Sequence, residues 1–179
     1  MPAPVSRHTV VLWAVVAALL GGAVLALYAG GGLDDAAAAT GRPLAPGEDV
    51  TTSRWVIKVA DAEIRLDPIL DEPELIVRLE VVNRGDKTEL PGGEELVRVQ
   101  WPVGTDVKVR SKLTLCQPGV RTTLLLRVEL PEKQPPGDLP IRVVVMDQKL
   151  EDLPYSTPYW VAAGPRGHLD LTAADRRPR

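Results

Sequence analysis

Two histidines, one cysteine and one cluster of carboxylates are the side chains from which this chain would have to build catalysis or a metal site. The histidines, His8 and His168, lie near opposite ends of the sequence, and the thiol is Cys116. Nucleophilic catalysis needs a base within hydrogen-bond reach of a hydroxyl or thiol. His168 sits in a polar C-terminal segment without a strand pattern, which is a poor place from which to hold one. A zinc site draws several ligands from His, Cys and carboxylate, more than one thiol and one such histidine supply. No glycine-rich phosphate loop precedes a helix. The inventory predicts a non-catalytic protein with no catalytic residues and no cofactor, an enzyme built on an unrecognised carboxylate pair being the third reading.

Two charged clusters are candidates for binding. The stretch DPILDEPE places Asp67, Asp71, Glu72 and Glu74 in one inter-strand loop. Calcium takes roughly six to eight oxygen ligands, but the Asp-x-Asp-x-Asp spacing is missing, so the primary reading is a solvated acidic loop. A small-ligand or metal-sensing domain using this loop is the alternative. Alternation places Lys108, Arg110 and Lys112 on one exposed face of one strand. They are the candidate partner-binding residues, suited to an acidic protein or an anionic wall polymer. Such charges also serve to keep an edge strand from pairing with another chain.

Three further features have structural readings. Arg84-Gly85-Asp86 spells a tripeptide that animal cell-surface receptors read as an adhesion signal. It follows Asn83 at the end of an alternating strand, and Asn, Gly and Asp are turn formers, so it reads as a turn. Cys116 closes the basic strand on its polar-face parity. It is expected as a buried free thiol under a turn, with an intermolecular disulfide as the alternative. Trp55, Trp101 and Trp160 are expected in or around the core.

These residues are carried by a chain with a clear division. Val10–Ala29 holds twenty uncharged residues, about 30 Å of helix and long enough to span a bilayer. Trp13 and Tyr28 flank it, Arg7 and His8 precede it, and Asp34 and Asp35 follow it. That asymmetry predicts residues 1–9 in the cytoplasm, a transmembrane helix at 10–29, and the rest outside as a single-pass cell-membrane protein. A cleaved secretory signal, cut within Ala36–Ala39, is the competing reading. Residues 30–49 read as a flexible linker and 164–179 as a disordered tail. All 24 acidic residues and all but one of the 21 basic ones follow the apolar stretch. The exported part is therefore mildly acidic, which argues against nucleic acid as a partner.

Residues 50–163 alternate apolar and polar positions in about seven segments. Leu75, Val77, Leu79 and Val81 share a face, as do Val97, Val99 and Trp101. Val107, Val109, Leu113 and Leu115 form another set, and Leu124, Leu126, Val128 and Leu130 another. Ile141, Val143 and Val145 repeat the pattern, and Tyr159–Ala162 closes the count. In the first segment the apolar set changes from Trp55, Ile57, Val59 to Ala62, Ile64, Leu66. A strand flips faces only by gaining or losing a residue, so a bulge is predicted near Ala60-Asp61. Proline- and glycine-rich turns separate the segments. The pattern predicts an all-β fold, an immunoglobulin-like antiparallel β-sandwich.

The stretches LIVRLEVVNRGDKTEL, LCQPGVRTTLLLRVELPEK and DLPIRVVVMD resemble the immunoglobulin-like ectodomains of bacterial envelope proteins and lipoproteins of the DUF4352 type. There a strand ends in Asn-x-Gly-Asp, and a later Pro-Gly turn starts a strand that ends at proline. The resemblance spans Trp55–Asp147 and implies an exported binding or accessory role with no catalytic residues. The chain departs from that group in having no phenylalanine and an apolar anchor instead of a lipid-modified cysteine. Abundant Ala, Arg, Val, Pro and Gly point to a GC-rich, actinobacterial genome. The expected partners are the membrane, through Val10–Ala29, and a protein or cell-wall component of an envelope complex.

Overall fold

Alternation decides the architecture, because each strand has one apolar row to bury and the rows face one another. The computed structural model describes residues 40–131, 134–152 and 159–178. The expected span Val10–Ala29 lies outside the described residues. Among the described residues, no helix is long and apolar enough to cross a membrane. Thr40–Arg179 forms one compact unit.

The fold is all-β. The first two strands are short, β1 at Arg42–Pro43 and β2 at Asp49–Thr51. The long strands β3 (Trp55–Leu66) and β4 (Pro73–Asn83) form a hairpin, onto which β8 (Arg121–Glu129) pairs. Between them come a single helical turn, α1 (Gly93–Leu96), and three short strands: β5 (Val97–Gln100), β6 (Asp106–Val107) and β7 (Arg110–Ser111). The chain ends in the long pair β9 (Leu139–Glu151) and β10 (Tyr159–Asp175). Pairing runs in the order β6-β5-β9-β10-β3-β4-β8-β7, with β1 on β10 and β2 on β3. This is one curled sheet whose two arms enclose a common core. Trp55, Ile57, Leu79 and Leu126 enter from one arm, and Val97, Ile141, Val143 and Val145 from the other.

The phase change in β3 is present. Register slips between Val59, opposite Leu79, and Asp61, opposite Arg78. Ala60 is the extra residue, and it is exposed. On either side of it Trp55, Ile57, Val59 and Ala62, Ile64 are all buried. Without the inserted residue one of these sets would face water.

Four expectations require correction. The segment expected as a disordered tail is strand, since β10 continues to Asp175 and pairs with β9 through Ala173. Leu169 and Ala173 enter the core, and Arg142 grips Asp170 across the pair at 2.6 and 2.8 Å. The expected linker gives up its second half, because the folded unit begins at Thr40. β1 lies parallel against β10, where glycine is required: a Cβ on Gly41, at φ 68°, would stand 2.6 Å from the Gly167 nitrogen. The pairing is also not wholly antiparallel, for β1–β10 and β10–β3 are parallel.

The fourth correction concerns Val107–Cys116, expected as one strand. The chain leaves one arm after β6, paired to β5, and joins the other as β7, paired to β8. Beyond Ser111 it pairs with no strand among the described residues until Cys116. Lys112 and Leu113 are both exposed, so the faces exchange there. Leu113 and Leu115 stand in solvent and Cys116 is buried, the reverse of the expected parity. A ladder enforces alternation only while it has a partner.

Two measurements test this architecture. In denaturant melts, Leu126→Ala in the core row is expected to cost about 2–5 kcal/mol through lost burial and a residual cavity. Leu125→Ala on the half-buried outer row is expected to cost about 1 kcal/mol or less. Equal losses would contradict the face assignment. A chain ending at Gly164 removes the part of β10 that pairs with Leu139–Met146 and with β3 and is expected to lose its cooperative unfolding transition, whereas a loose tail would leave that transition unchanged.

Candidate functional site

The crossing from one arm to the other leaves a sheet edge open. α1 seats against the start of this edge: the Gly93 amide donates to Ser111 Oγ at 3.2 Å, and a Cβ on Gly93 would lie 2.8 Å from Leu126. β7 then pairs for two residues only, Arg110 opposite Arg127 and Ser111 opposite Leu126. From Leu113 to Leu115 no backbone N–H reaches a protein acceptor among the described residues. Pairing resumes at Cys116, which exchanges both backbone hydrogen bonds with Glu89 at 2.8 and 3.1 Å. Continuing that antiparallel register brings Leu90 beside Leu115. Leu113 is 78%, Leu115 65% and Leu90 51% exposed.

The basic residues expected on one strand face are all exposed, but the structure divides them. Lys108 lies on the crossing between the arms, Arg110 in β7, and Lys112 on the open stretch. Arg110 is committed to an ion pair with Glu129. The ammonium groups of Lys108 and Lys112 have no partner among the described residues. On the outer face of β3, β4 and β8, by contrast, cations and carboxylates pair off. Lys58 meets Glu80 at 2.8 Å, and Arg121 bridges Asp49 and Glu80 at 2.8 and 3.1 Å. That pairing raises the Arg121 pKa and holds the Asp49 carboxyl below its ordinary value, mainly through the hydrogen bonds to Arg121.

The acidic loop is spent on its own structure. Asp67 accepts the amides of Ile69 and Leu70 at 2.8 and 2.9 Å, closing the turn. Those two bonds, more than any charge, hold its pKa below the usual value. Glu74 is buried between Arg65 at 3.0 Å and Arg127 at 3.2 Å. Asp71 and Glu72 point to solvent at the loop tip. The four carboxylates do not converge, and among the described residues no group of three or more His, Cys, Asp or Glu forms a metal site.

The Arg-Gly-Asp tripeptide is a built turn. Asn83, buried, accepts the Gly85 amide at 2.8 Å and donates to the Lys87 and Cys116 carbonyls at 2.7 and 3.0 Å. Arg84 reaches back to the Thr52 carbonyl at 2.6 Å, so its guanidinium is occupied. Cys116 lies buried at this junction and burial raises its pKa. His168 is in β10, its Nδ1 3.1 Å from the Gly41 carbonyl oxygen. The thiol and the imidazole thus belong to different arms.

Sequence reasoning passed over one polar cluster. Arg54 lies between two indoles, 4.9 Å from the Trp160 ring centre and 5.4 Å from that of Trp55, and pairs with Glu89. Trp55 is fully buried, as expected, and its indole N–H has no acceptor among the described residues; the cation over the ring is its polar neighbour. Gln148, also buried, ties the same end together by accepting from Thr52 at 2.7 Å and donating to Glu95 O at 3.1 Å. The only hint was a polar pair, Asp147-Gln148, closing the apolar run of β9. A separate cavity of about 570 Å³ lies by Leu66, Pro136 and Asp175, where the acidic side chain is paired to Arg177 at 2.8 Å.

No family model and no curated protein matches the chain. Among solved structures it is similar to one described as a "putative lipoprotein from Staphylococcus aureus", at 14% identity and a TM-score of 0.44, over 74% of this chain and 95% of that one. A likeness that loose carries no argument about function.

The cluster at Arg54 yields a pH prediction. Burial raises the Glu95 pKa above its ordinary 4.5, against the pull of Arg54. The fold therefore prefers the neutral carboxyl, and the stability tied to protonation is present below the ordinary pKa and lost as pH rises through the folded one. Glu95→Gln keeps that position neutral throughout. Its stability relative to the parent is expected to improve between about pH 4 and about pH 7 in denaturant melts. A difference that stays constant across that range would contradict the desolvation.

Proposed function

We propose that this chain is a membrane-anchored, non-catalytic binding or accessory module of a bacterial cell envelope. Its immunoglobulin-like β-sandwich stands outside the cell and holds a partner component of an envelope complex. Support for the location comes from the apolar stretch Val10–Ala29 and the charge asymmetry around it. Support for binding comes from the open edge, where unpaired backbone at Leu113–Leu115 adjoins two exposed leucines and the unpaired cations Lys108 and Lys112. That edge is the observation that carries the reading, since sheet edges that serve no contact are normally covered or charged throughout.

Protease added to intact protoplasts tests the placement. The expected outcome is digestion of Thr40–Arg179 while an N-terminal fragment stays with the membrane. Protection of the folded unit would refute the orientation. Release of intact protein with a new N-terminus near Thr40 would replace the anchor by a cleaved signal and leave the folded unit whole, because that unit begins there.

A further inference from the structure

We infer that the open edge at Lys112–Leu115 takes an extended segment of a partner protein, apolar at alternate positions and acidic at the end that meets Lys108 and Lys112, as an added strand. The inference rests on the proposed binding role and names the chemistry of the partner. Three independent properties of the edge select it. Among the described residues its backbone donors at Leu113, Thr114 and Leu115 are unpaired; successive strand amides point to opposite sides, so those of Leu113 and Leu115 share one edge, and main-chain hydrogen bonds are what strand addition supplies. Leu113 and Leu115 lie two apart and so point to the same side, which asks for apolar residues at alternate positions of the incoming strand. Lys108 and Lys112 carry charges that nothing in the described chain neutralises, whereas the cations on the neighbouring outer face are paired.

Other occupants fit these properties less well. A second copy of the same edge would bring Lys108 and Lys112 against their own kind, a like-charge arrangement that cross-strand pairing penalises. A lipid surface would satisfy the lysines and leucines but leave the backbone donors without partners. The lysines therefore have two effects at once: they repel copies of this chain and attract a carboxylate-bearing strand. The footprint is short, because Cys116 returns to Glu89 at one end and the chain crosses to the other arm at the other.

The test uses the full chain in detergent and the synthetic peptide acetyl-Glu-Val-Thr-Val-Glu-amide, with a twin carrying Lys at both ends. Hydrogen exchange is followed at the Leu113, Thr114 and Leu115 amides. With the acidic peptide at about ten times its Kd, exchange at the Leu113 and Leu115 amides is expected to slow about tenfold, with Thr114 little changed; the basic twin is expected to leave all three unchanged. Lys112→Glu is expected to reverse that preference. Leu115→Pro removes a donor on the pairing edge and is expected to weaken the effect of the acidic peptide at least tenfold, with protection of the Leu126 amide reporting that the fold is intact. Equal slowing by both peptides, or none by either up to millimolar concentration, would overturn the inference. So would slowing without peptide, produced by raising the protein concentration (a second copy) or by adding phosphatidylglycerol vesicles (a lipid surface). Because this measurement is independent of which side of a membrane the domain occupies, its failure leaves the protoplast result standing, and the reverse also holds.

Discussion

The two arms of the sheet are stitched together by two residue pairs, Ala174 with Glu63 and Asp175 with Ile64, and this seam orders everything else. The Arg176 amide extends it by donating to the Ile64 carbonyl at 2.8 Å. Asp175 then acts as a clasp, accepting from the Gly137 amide at 2.7 Å and from Arg177 at 2.8 and 2.9 Å. Those bonds, led by Arg177, hold its carboxyl well below the usual range. Arg177 in turn binds the Gln134 and Pro135 carbonyls, which fixes the approach to β9. With β10 joined to β3 on one side, the curl of the sheet puts β5-β6 and β7-β8 at its two free ends. The crossing between those ends is what leaves the edge beside β8 open.

Most of the strand content was legible because the period-two rule is local and the apolar rows are long. The bulge at Ala60 could be read from three apolar residues on either side of it, since only an inserted residue reconciles the two parities. The fate of β10 was harder to read. Its alternation of Leu169, Leu171 and Ala173 is short, and it is interrupted by Asp170 and Thr172 and followed by an Arg-rich end. Its place in the fold depends on Arg142 and on the clasp at Asp175, contacts made with residues tens of positions away. The stretch Leu113–Leu115 failed for the opposite reason. It has a good strand pattern and no strand to pair with, so its leucines face water.

The basic candidates show the same limit in the language of charge. Spacing placed Lys108, Arg110 and Lys112 on one side of the chain, and all three are exposed. What spacing could not show is that Glu129, on another strand, would claim Arg110 and leave the two lysines alone. The acidic loop follows the same logic. Glu74 belongs to strand β4 and to the arginines beside it, and Asp67 belongs to its own turn, so their proximity in sequence does not become proximity of ligands in space.

Cys116 turns the junction beside the open edge into a gauge of its own opening. The thiol is fully buried, and burial disfavours the reactive thiolate. A thiol reagent therefore gains access only when the Glu89–Cys116 bridge parts. In the regime where closing outruns reaction, the labelling rate divided by that of an unfolded chain equals the equilibrium constant for that parting. The chain thus carries, at natural sequence, a single reporter that separates fraying of this junction from global unfolding.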